Sequence, residues 1–229
     1  MFLDSKIAIV DLIRDLVITL RKTGVVTSID VLGGGIYRIN AANTLVENEL
    51  VTIGSGLYKA VTVTPTNFRV QSDTAVAGAS FTGTSPYFEH GHFLEIANKL
   101  MEKDSATELY KYTKYPLIAL IQDFPETRED GQITEARLNI LIINCTEQSY
   151  DAAQRYTSNF KPILYELYDS LLQAFTHSRR FGGTFRHTKY DRLAWGTQLP
   201  YYNERAILDD FVDAVELQDL TVQLINSPC

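Results

Sequence analysis

The residues that could do chemistry in this chain are few, and the tightest group is Glu89-His90-Gly91-His92. Two histidines at a spacing of two can share a metal on a strand, and Glu89 beside them, with His187 as an acid or base, would suit a metal-dependent hydrolase. A tetrahedral site needs further ligands, and neither Cys nor Asp supplies a recognisable third and fourth. The expected role of the group is therefore a loop or helix start, with no metal, no cofactor and no catalytic residue assigned. Nucleophilic catalysis finds no better footing. There is no G-x-S-x-G elbow, and Cys145 falls within an apolar run of strand length, where it is expected to be buried and inert. With Cys229 as the only other cysteine, neither a disulfide framework nor a thiolate metal site is expected. Glu126, Glu129 and Asp130 cluster between two apolar runs, as the acidic residues of a solvated turn do.

The one basic concentration is Arg179, Arg180, Arg186, His187, Lys189 and Arg192, interleaved with Phe181, Phe185, Tyr190 and Trp195. Such a stretch could hold phosphates and stack on bases, or dock on an acidic protein neighbour. The formal net charge of the whole chain is −7, which argues against a nucleic-acid surface as the main task and favours docking. The many phenylalanines and tyrosines point the same way, because aromatic side chains are enriched where proteins meet.

The elements that must position these groups centre on a long antiparallel hairpin from Tyr115 to Glu147, two apolar runs joined by a polar, Gly-containing link. Its second run is apolar on both faces. Leu138, Ile140 and Ile142 point one way and Leu141, Ile143 and Cys145 the other, so two covers are needed. Helices of the same chain supply one; another domain or subunit is expected to supply the other. An amphipathic helix runs from Asp4 to Thr23, with Ile9, Ile13, Leu16 and Leu20 on one stripe, an Asp4 or Ser5 cap, and a stop at Gly24. Pro86 to Tyr112 is expected to be helical again, with Phe93, Ile96, Ala97 and Leu100 at helical spacing and a second short segment at 106–112. A third, capped by Ser149 or Asp151, carries Tyr156, Phe160, Ile163, Leu164, Leu167, Leu171 and Phe175, with Pro162 kinking or splitting it. Residues 178–197 are expected to form a long loop with an extended piece at 184–187. In the strand expected at 206–225 the apolar phase slips between Leu217 and Leu220, which a bulge at Gln218-Asp219 would absorb.

Between the first two helices the composition changes. From Val25 to Ser85, short Val-, Ile- and Thr-rich runs recur about every ten residues between Gly, Asn and Pro, the pattern of a small all-β barrel or sandwich of roughly five strands. Gly33-Gly34-Gly35 precedes another strand, whereas phosphate-cradling glycines open helices, so it reads as a hairpin turn. Residues 75–85, small and polar, read as a linker or flexible loop out of this unit. The fold class is thus α+β, an antiparallel sheet covered by helices. Its parts are residues 1–24 (first helix of the main domain), an inserted all-β unit at 25–85, and the rest of the main domain at 86–229. No apolar stretch approaches the roughly 20 residues of a membrane span, and Met1 to Leu20 lacks the features of a signal peptide, so a cytosolic product without membrane partners is expected.

The order helix, helix, long hairpin, helix, late strand, and the phrasing of Lys114–Phe124, Ala136–Phe175 and Leu208–Ile225, resembles the neck and tail-completion proteins of tailed bacteriophages. These have the tail-terminator-like fold, and the chain is most similar to the neck ring proteins of crAss-like Bacteroides phages. The resemblance covers the first helix and residues 86–229 and leaves the β insertion unaccounted for. It implies a structural virion protein, a head-to-tail connector or tail-completion subunit. Such a subunit would be assembled in the host cytoplasm into a homo-oligomeric ring, hexameric or dodecameric, around the DNA channel. Other neck, portal or tail proteins would be its partners, and passing DNA would be met without sequence-specific binding. Such families carry no catalytic residues. On this reading the subunit interfaces are expected at Leu141 and Ile143 of the hairpin, at Arg179, Arg180, Phe181 and Trp195 of the loop, and at Val222 and Leu224 of a terminal strand with a free edge. Two rivals come from other classes: the hydrolase built on Glu89, His90 and His92, and a binding module for a peptide or sugar carried by residues 25–85.

Overall fold

The structure, a computed structural model, describes residues 9–104, 113–129, 132–195, 208 and 210–225. The chain is α+β and divides into two compact units. The first comprises 1–20, 86–102 and 115–229, and the second comprises 21–85 and 103–114. The second unit thus takes in the inserted segment and adds 21–24 and 103–114, both of which the sequence pattern assigns to the main domain; the first helix ends at Thr19 rather than at Gly24, because Thr23 and Gly24 pair in a strand of the second unit. Residues 105–112, with most of that expected short helix, lie outside the described residues, as do the expected caps Asp4 and Ser5.

Among the described residues the second unit has eight short strands rather than about five: β1 (Thr23–Val25), β2 (Ser28–Gly33), β3 (Ile36–Asn40), β4 (Leu50–Ile53), β5 (Gly56–Lys59), β6 (Val61–Thr64), β7 (Asn67–Gln71) and β8 (Ser80–Gly83). They form two antiparallel sheets ordered β1-β8-β4-β5 and β2-β3-β7-β6. Alternation sends Val51, Ile53 and Phe81 of one sheet and Ile39, Phe68 and Val70 of the other into a single core, a sandwich. Phe68 and Phe81 meet edge to face at 5.3 Å. The segment expected to be a linker is corrected here: Ser80–Gly83 pairs with both β1 and β4, because Phe81 anchors it among small neighbours. Gly24 lies so close to the Phe81 ring that a Cβ would overlap it. Gly33, Gly34 and Gly35 all have positive φ (92°, 60° and 75°) and form the turn from β2 to β3. Glu49, buried in this unit, is satisfied by Ser85 Oγ (2.6 Å), the Val46 N–H (3.0 Å) and Lys22 Nζ (3.3 Å).

The first unit begins with α1 (Ile9–Thr19), whose buried residues Ile9, Ile13, Leu16 and Val17 recur at helical spacing. After the insertion come β9 (Tyr87–Gly91), α2 (Phe93–Asp104), β10 (Leu117–Ile121), β11 (Glu126–Glu129) and β12 (Gln132–Cys145). A helical stretch then runs without a break from α3 (Ala152–Arg155) through π-helical turns (Tyr156–Leu164) into α4 (Tyr165–His177), followed by β13 (Phe181–Gly182), β14 (Thr188–Trp195) and β15 (Val212–Leu224). Asp151 caps α3 in a capping box with Gln154. Pro162 lies inside the π-helical turns, where the Tyr165 N–H reaches back five residues to the Phe160 carbonyl.

Among the described residues the sheet of this unit has seven strands: β13-β15-β12-β10-β9 in order, with β11 beside β12 and β14 beside β15. The hairpin is the antiparallel pair β10-β12, with Ile118 opposite Ile142 and Leu117 opposite Ile143. Leu138 faces Leu220 and Ile140 faces Leu217, which leaves an extra residue at Gln218-Asp219, where the phase slips. Asp219 has φ 55°, and its N–H donates to Asn139 Oδ1 at 3.1 Å.

One face of this sheet packs on α1 and on the π-helical and α4 segments, through Leu138, Ile140, Ile142, Val215, Leu217, Leu220 and Val222. The other carries Leu117, Ala119, Leu141, Ile143, Val212 and Ala214 and is covered by Ile96, Ala97 and Leu100 of α2 with Leu208. This corrects the expectation that a second subunit covers Leu141 and Ile143. β9 and β10 are parallel, and a parallel pair needs a crossover; α2 is that crossover and lies over the second face. Cys145 is also corrected. At the last position of β12 it is exposed, outside the cover that α2 gives to Ile143.

Candidate functional site

The Glu89-His90-Gly91-His92 group does not converge. Glu89 pairs with Ala119 and His90 with Leu120, so alternation puts them on opposite faces of the sheet. Glu89 reaches Lys99 Nζ (3.4 Å), His90 Nδ1 contacts Gln122 Oε1 (3.1 Å), and His92, just before α2, donates its N–H to Glu95 Oε2 (3.1 Å). His187 directly precedes β14, four strand spacings from β9, or roughly 19 Å across the sheet. Among the described residues no three His, Cys, Asp or Glu side chains are placed to hold a metal. Only His92 stands at a helix start as expected; Glu89, His90 and Gly91 belong to β9, which corrects the helical reading of 86–92, because these residues pair in parallel with Ala119, Leu120 and Ile121.

The expected interface residues separate into buried and surface groups. Leu141, Ile143 and Val222 lie in the unit's own core, Phe181 packs on Phe175 with ring centroids 5.0 Å apart, and Leu224 lies against the same core. These are consumed by folding. Arg179 and Arg180 remain exposed, and the Arg180 carbonyl accepts from the Ile225 N–H (3.0 Å). β15 has no free edge either: β12 lies on one side, and β13 and β14 on the other. On that side the edge is formed by β13 and β14, the opposite edge being β9, and β14 forms later in the chain than the extended piece expected at 184–187. Trp195 ends it, its backbone opposite Val212.

β14 is where the basic and aromatic residues are organised. Register places Lys189 opposite Leu217 and Asp191 opposite Val215, on the α4 side. There Lys189 Nζ lies 4.2 Å from the Tyr165 ring centroid and 5.5 Å from that of Tyr168, and 2.6 Å from Asp191 Oδ1. The Tyr165 hydroxyl donates to Asp191 Oδ2 at 2.7 Å, and Tyr168 Oη contacts His187 Nε2 at 2.9 Å. Burial, then the hydrogen bond to Asp191, pushes the Tyr165 phenol up to about 12. Burial, then the charges of Asp169 and Asp191, raise that of Tyr168 as well. Both phenols therefore hold their protons at neutral pH, serving as donors and ring faces rather than as bases.

On the opposite face Tyr190 and Arg192 stand beside Glu216. The guanidinium takes one carboxylate oxygen through Nε (2.8 Å) and Nη2 (2.7 Å) and lies 4.7 Å over the Tyr190 ring, while Gln218 donates to the other oxygen (2.7 Å). Tyr190 and Leu193 are about two-fifths exposed, at 40% and 45%. Leu193 and Ala194 together oppose one residue of β15, an edge bulge with Ala194 at φ 52°.

Behind this edge lies a polar network that sequence reasoning missed. Asp213, fully buried, accepts from Arg155 Nη1 (3.1 Å), Asn159 Nδ2 (2.9 Å) and the Ala194 N–H (2.9 Å). Arg155 also gives Nε to the Tyr150 carbonyl (3.0 Å) and Nη2 to the Glu147 carbonyl (2.9 Å), with Phe211 stacked 4.6 Å from its guanidinium carbon. Asn144, opposite Asp213 in the ladder, donates to Asn159 (2.9 Å). An acid inside the otherwise apolar FVDAV, facing the core, was the available signal, because a buried carboxylate requires a partner. The network fixes the bulged edge strand through Ala194 and so positions the surface that β14 presents.

Neither the models of known protein families nor the curated proteins match this chain. Among the described residues no helix is long and apolar enough to cross a membrane.

Proposed function

We propose that the chain is a structural virion protein, a ring-forming subunit of the neck or tail of a tailed bacteriophage that acts by contact rather than catalysis. The observation that carries this reading is the edge strand β14. The central strands of its sheet are covered from within the unit, whereas β14 offers a main-chain edge together with Tyr190 and Arg192, residue types enriched where proteins meet, and the exposed Leu193 beside them. An apolar and aromatic edge on each copy suits head-to-tail contact, and head-to-tail contacts close into rings when the rotation permits. The resemblance of 86–229 to neck and tail-completion proteins supports the same reading, and a net charge of −7 suits a channel that DNA must traverse without sticking. The interface is thereby moved from Leu141, Ile143 and Val222 to the rim of the sheet.

The test is the mass of the purified protein by light scattering, alone and mixed with portal and tail subunits, for wild type, Leu193→Asp and Leu141→Asp. We expect a closed hexameric or dodecameric ring for wild type, a folded monomer for Leu193→Asp, and an unfolded protein for Leu141→Asp. A wild-type monomer under every condition, or stoichiometric bound metal, would overturn the reading.

A further inference from the structure

The outer face of the sheet β2-β3-β7-β6, in the second unit, carries an arrangement that the ring reading does not use. Ile39, Phe68 and Val70 point into the core, so alternation turns Arg38 and Arg69 outward. The two are direct cross-strand partners in a row that runs Asp30, Arg38, Arg69, Val61. Side chains so opposed leave the sheet about 5 Å apart at Cβ, and like charges there repel. Among the described residues neither arginine makes an ion pair or a side-chain hydrogen bond. Asp30, the one acid of the row, instead accepts from Asn40 Nδ2 at 2.9 Å. Both arginines are half-buried. Of the two neighbouring rows, Ser28, Asn40, Asn67 and Thr64 is wholly polar, and Gly33, Ile36 and Gln71 carries one exposed apolar side chain, Ile36.

We propose that this face is a binding site for an acidic peptide segment of a partner protein, whose carboxylates are taken by Arg38 and Arg69. Two adjacent guanidinium groups offer planar forks of N–H donors, the geometry that receives carboxylates two at a time, and a bound acid turns their mutual repulsion into shared attraction. Nucleic acid fits the face less well. Single strands need aromatic platforms, and none of the three outward rows has one, Tyr37 being packed against the core. A duplex needs a run of cations, whereas this row has two arginines offset by Asp30 within a chain of net charge −7.

The test titrates the full chain with octaglutamate at low and at physiological salt, beside duplex DNA as a second probe. It compares wild type with Arg38→Ala/Arg69→Ala and with Arg38→Lys/Arg69→Lys, each first checked for an unchanged thermal midpoint. Octaglutamate should bind wild type in preference to DNA, lose about tenfold for each arginine removed, and lose part of that with lysine, which keeps the charge but not the fork. No binding of octaglutamate, equal binding by the alanine variant, or a preference for DNA that the alanine variant abolishes would overturn the proposal. The measurement does not depend on ring formation, so a monomer that binds octaglutamate defeats the ring reading alone, and a ring that does not bind it defeats this one alone.

Discussion

Arg155 in the first unit and the Arg38–Arg69 pair in the second put the same side chain into opposite circumstances. Arg155 is buried, with Asp213, the Glu147 and Tyr150 carbonyls and the Phe211 ring around its guanidinium, and its bonds join the start of α3 to β15. Arg38 and Arg69 lie on an outer sheet face, beside each other and without such partners among the described residues. A buried guanidinium must be matched within the fold, since an unmatched one costs several kcal/mol. One at the surface is hydrated and can wait for a ligand. The difference separates a residue whose charge holds the unit together from residues whose charge is left available. Lys189 is intermediate, half-buried and paired with Asp191 over two tyrosine rings.

The largest expected effect breaks the matched side of that comparison. Asp213→Ala leaves Arg155 buried without its counter-charge and the Asn159 amide and Ala194 N–H without an acceptor, and should cost about 3–5 kcal/mol. Urea unfolding followed by Trp195 fluorescence measures this, since the chain's one tryptophan belongs to the first unit. Asn159→Ala removes one donor to Asp213 and the acceptor of Asn144, and should cost less, about 1–3 kcal/mol. If Asp213→Ala unfolds at the wild-type midpoint, the network is not what fixes β15 to α3, and the contrast with the surface arginines disappears.

How far these regions were legible in the sequence follows from how local their causes are. The helical stripes of α1 and α2, the hairpin, the three-glycine turn and the bulge at Gln218-Asp219 were all readable, because each is written in the spacing of neighbouring residues. The parallel pairing of Tyr87–Gly91 with Leu117–Ile121 was not, since nothing within either strand states which distant strand it joins. That one non-local fact decides that α2 covers Leu141 and Ile143, and missing it turned core residues into an expected interface. Ser80–Gly83 was hidden for a related reason: a small, polar composition reads as linker until Phe81 is seen to fill the core of a sandwich. At the candidate site, the basic and aromatic character of 179–195 was visible. Its division by an edge strand into a Lys189 and Asp191 face and a Tyr190 and Arg192 face was not, because the expected loop has no period to assign.

A smaller effect sharpens the intermediate case. The Tyr165 phenol is raised from 10.0 to about 12 by burial and by its bond to Asp191. Below pH 10 the phenol is protonated in both the folded and the unfolded chain, and the contribution of its bond is fully present. Between pH 10 and about 12 the unfolded phenol ionises while the folded one keeps its proton, so the folded chain binds more protons and stability falls as pH rises. Tyr165→Phe lacks this term. The difference in thermal midpoint between wild type and Tyr165→Phe should therefore be constant below pH 10 and shrink above it; a difference that is flat through pH 12 would mean that the hydroxyl does not hold Asp191 in solution.

The smallest expected effect is the one that defines the unmatched side. Arg38→Ala/Arg69→Ala removes no bond among the described residues and relieves a cross-strand repulsion, so its cost in stability should lie within about 0.5 kcal/mol of zero. Single substitutions make the point more sharply than the double one. Removing either arginine alone already ends the repulsion, so the two single effects should sum to more stabilisation than the double variant shows, a coupling that a double-mutant cycle in urea reads directly. A coupling of the opposite sign, with the pair worth more together than apart, would mean that the two guanidinium groups already share an anion or a carboxylate in solution. The face would then be matched like Arg155, and its charge would not be free for a partner.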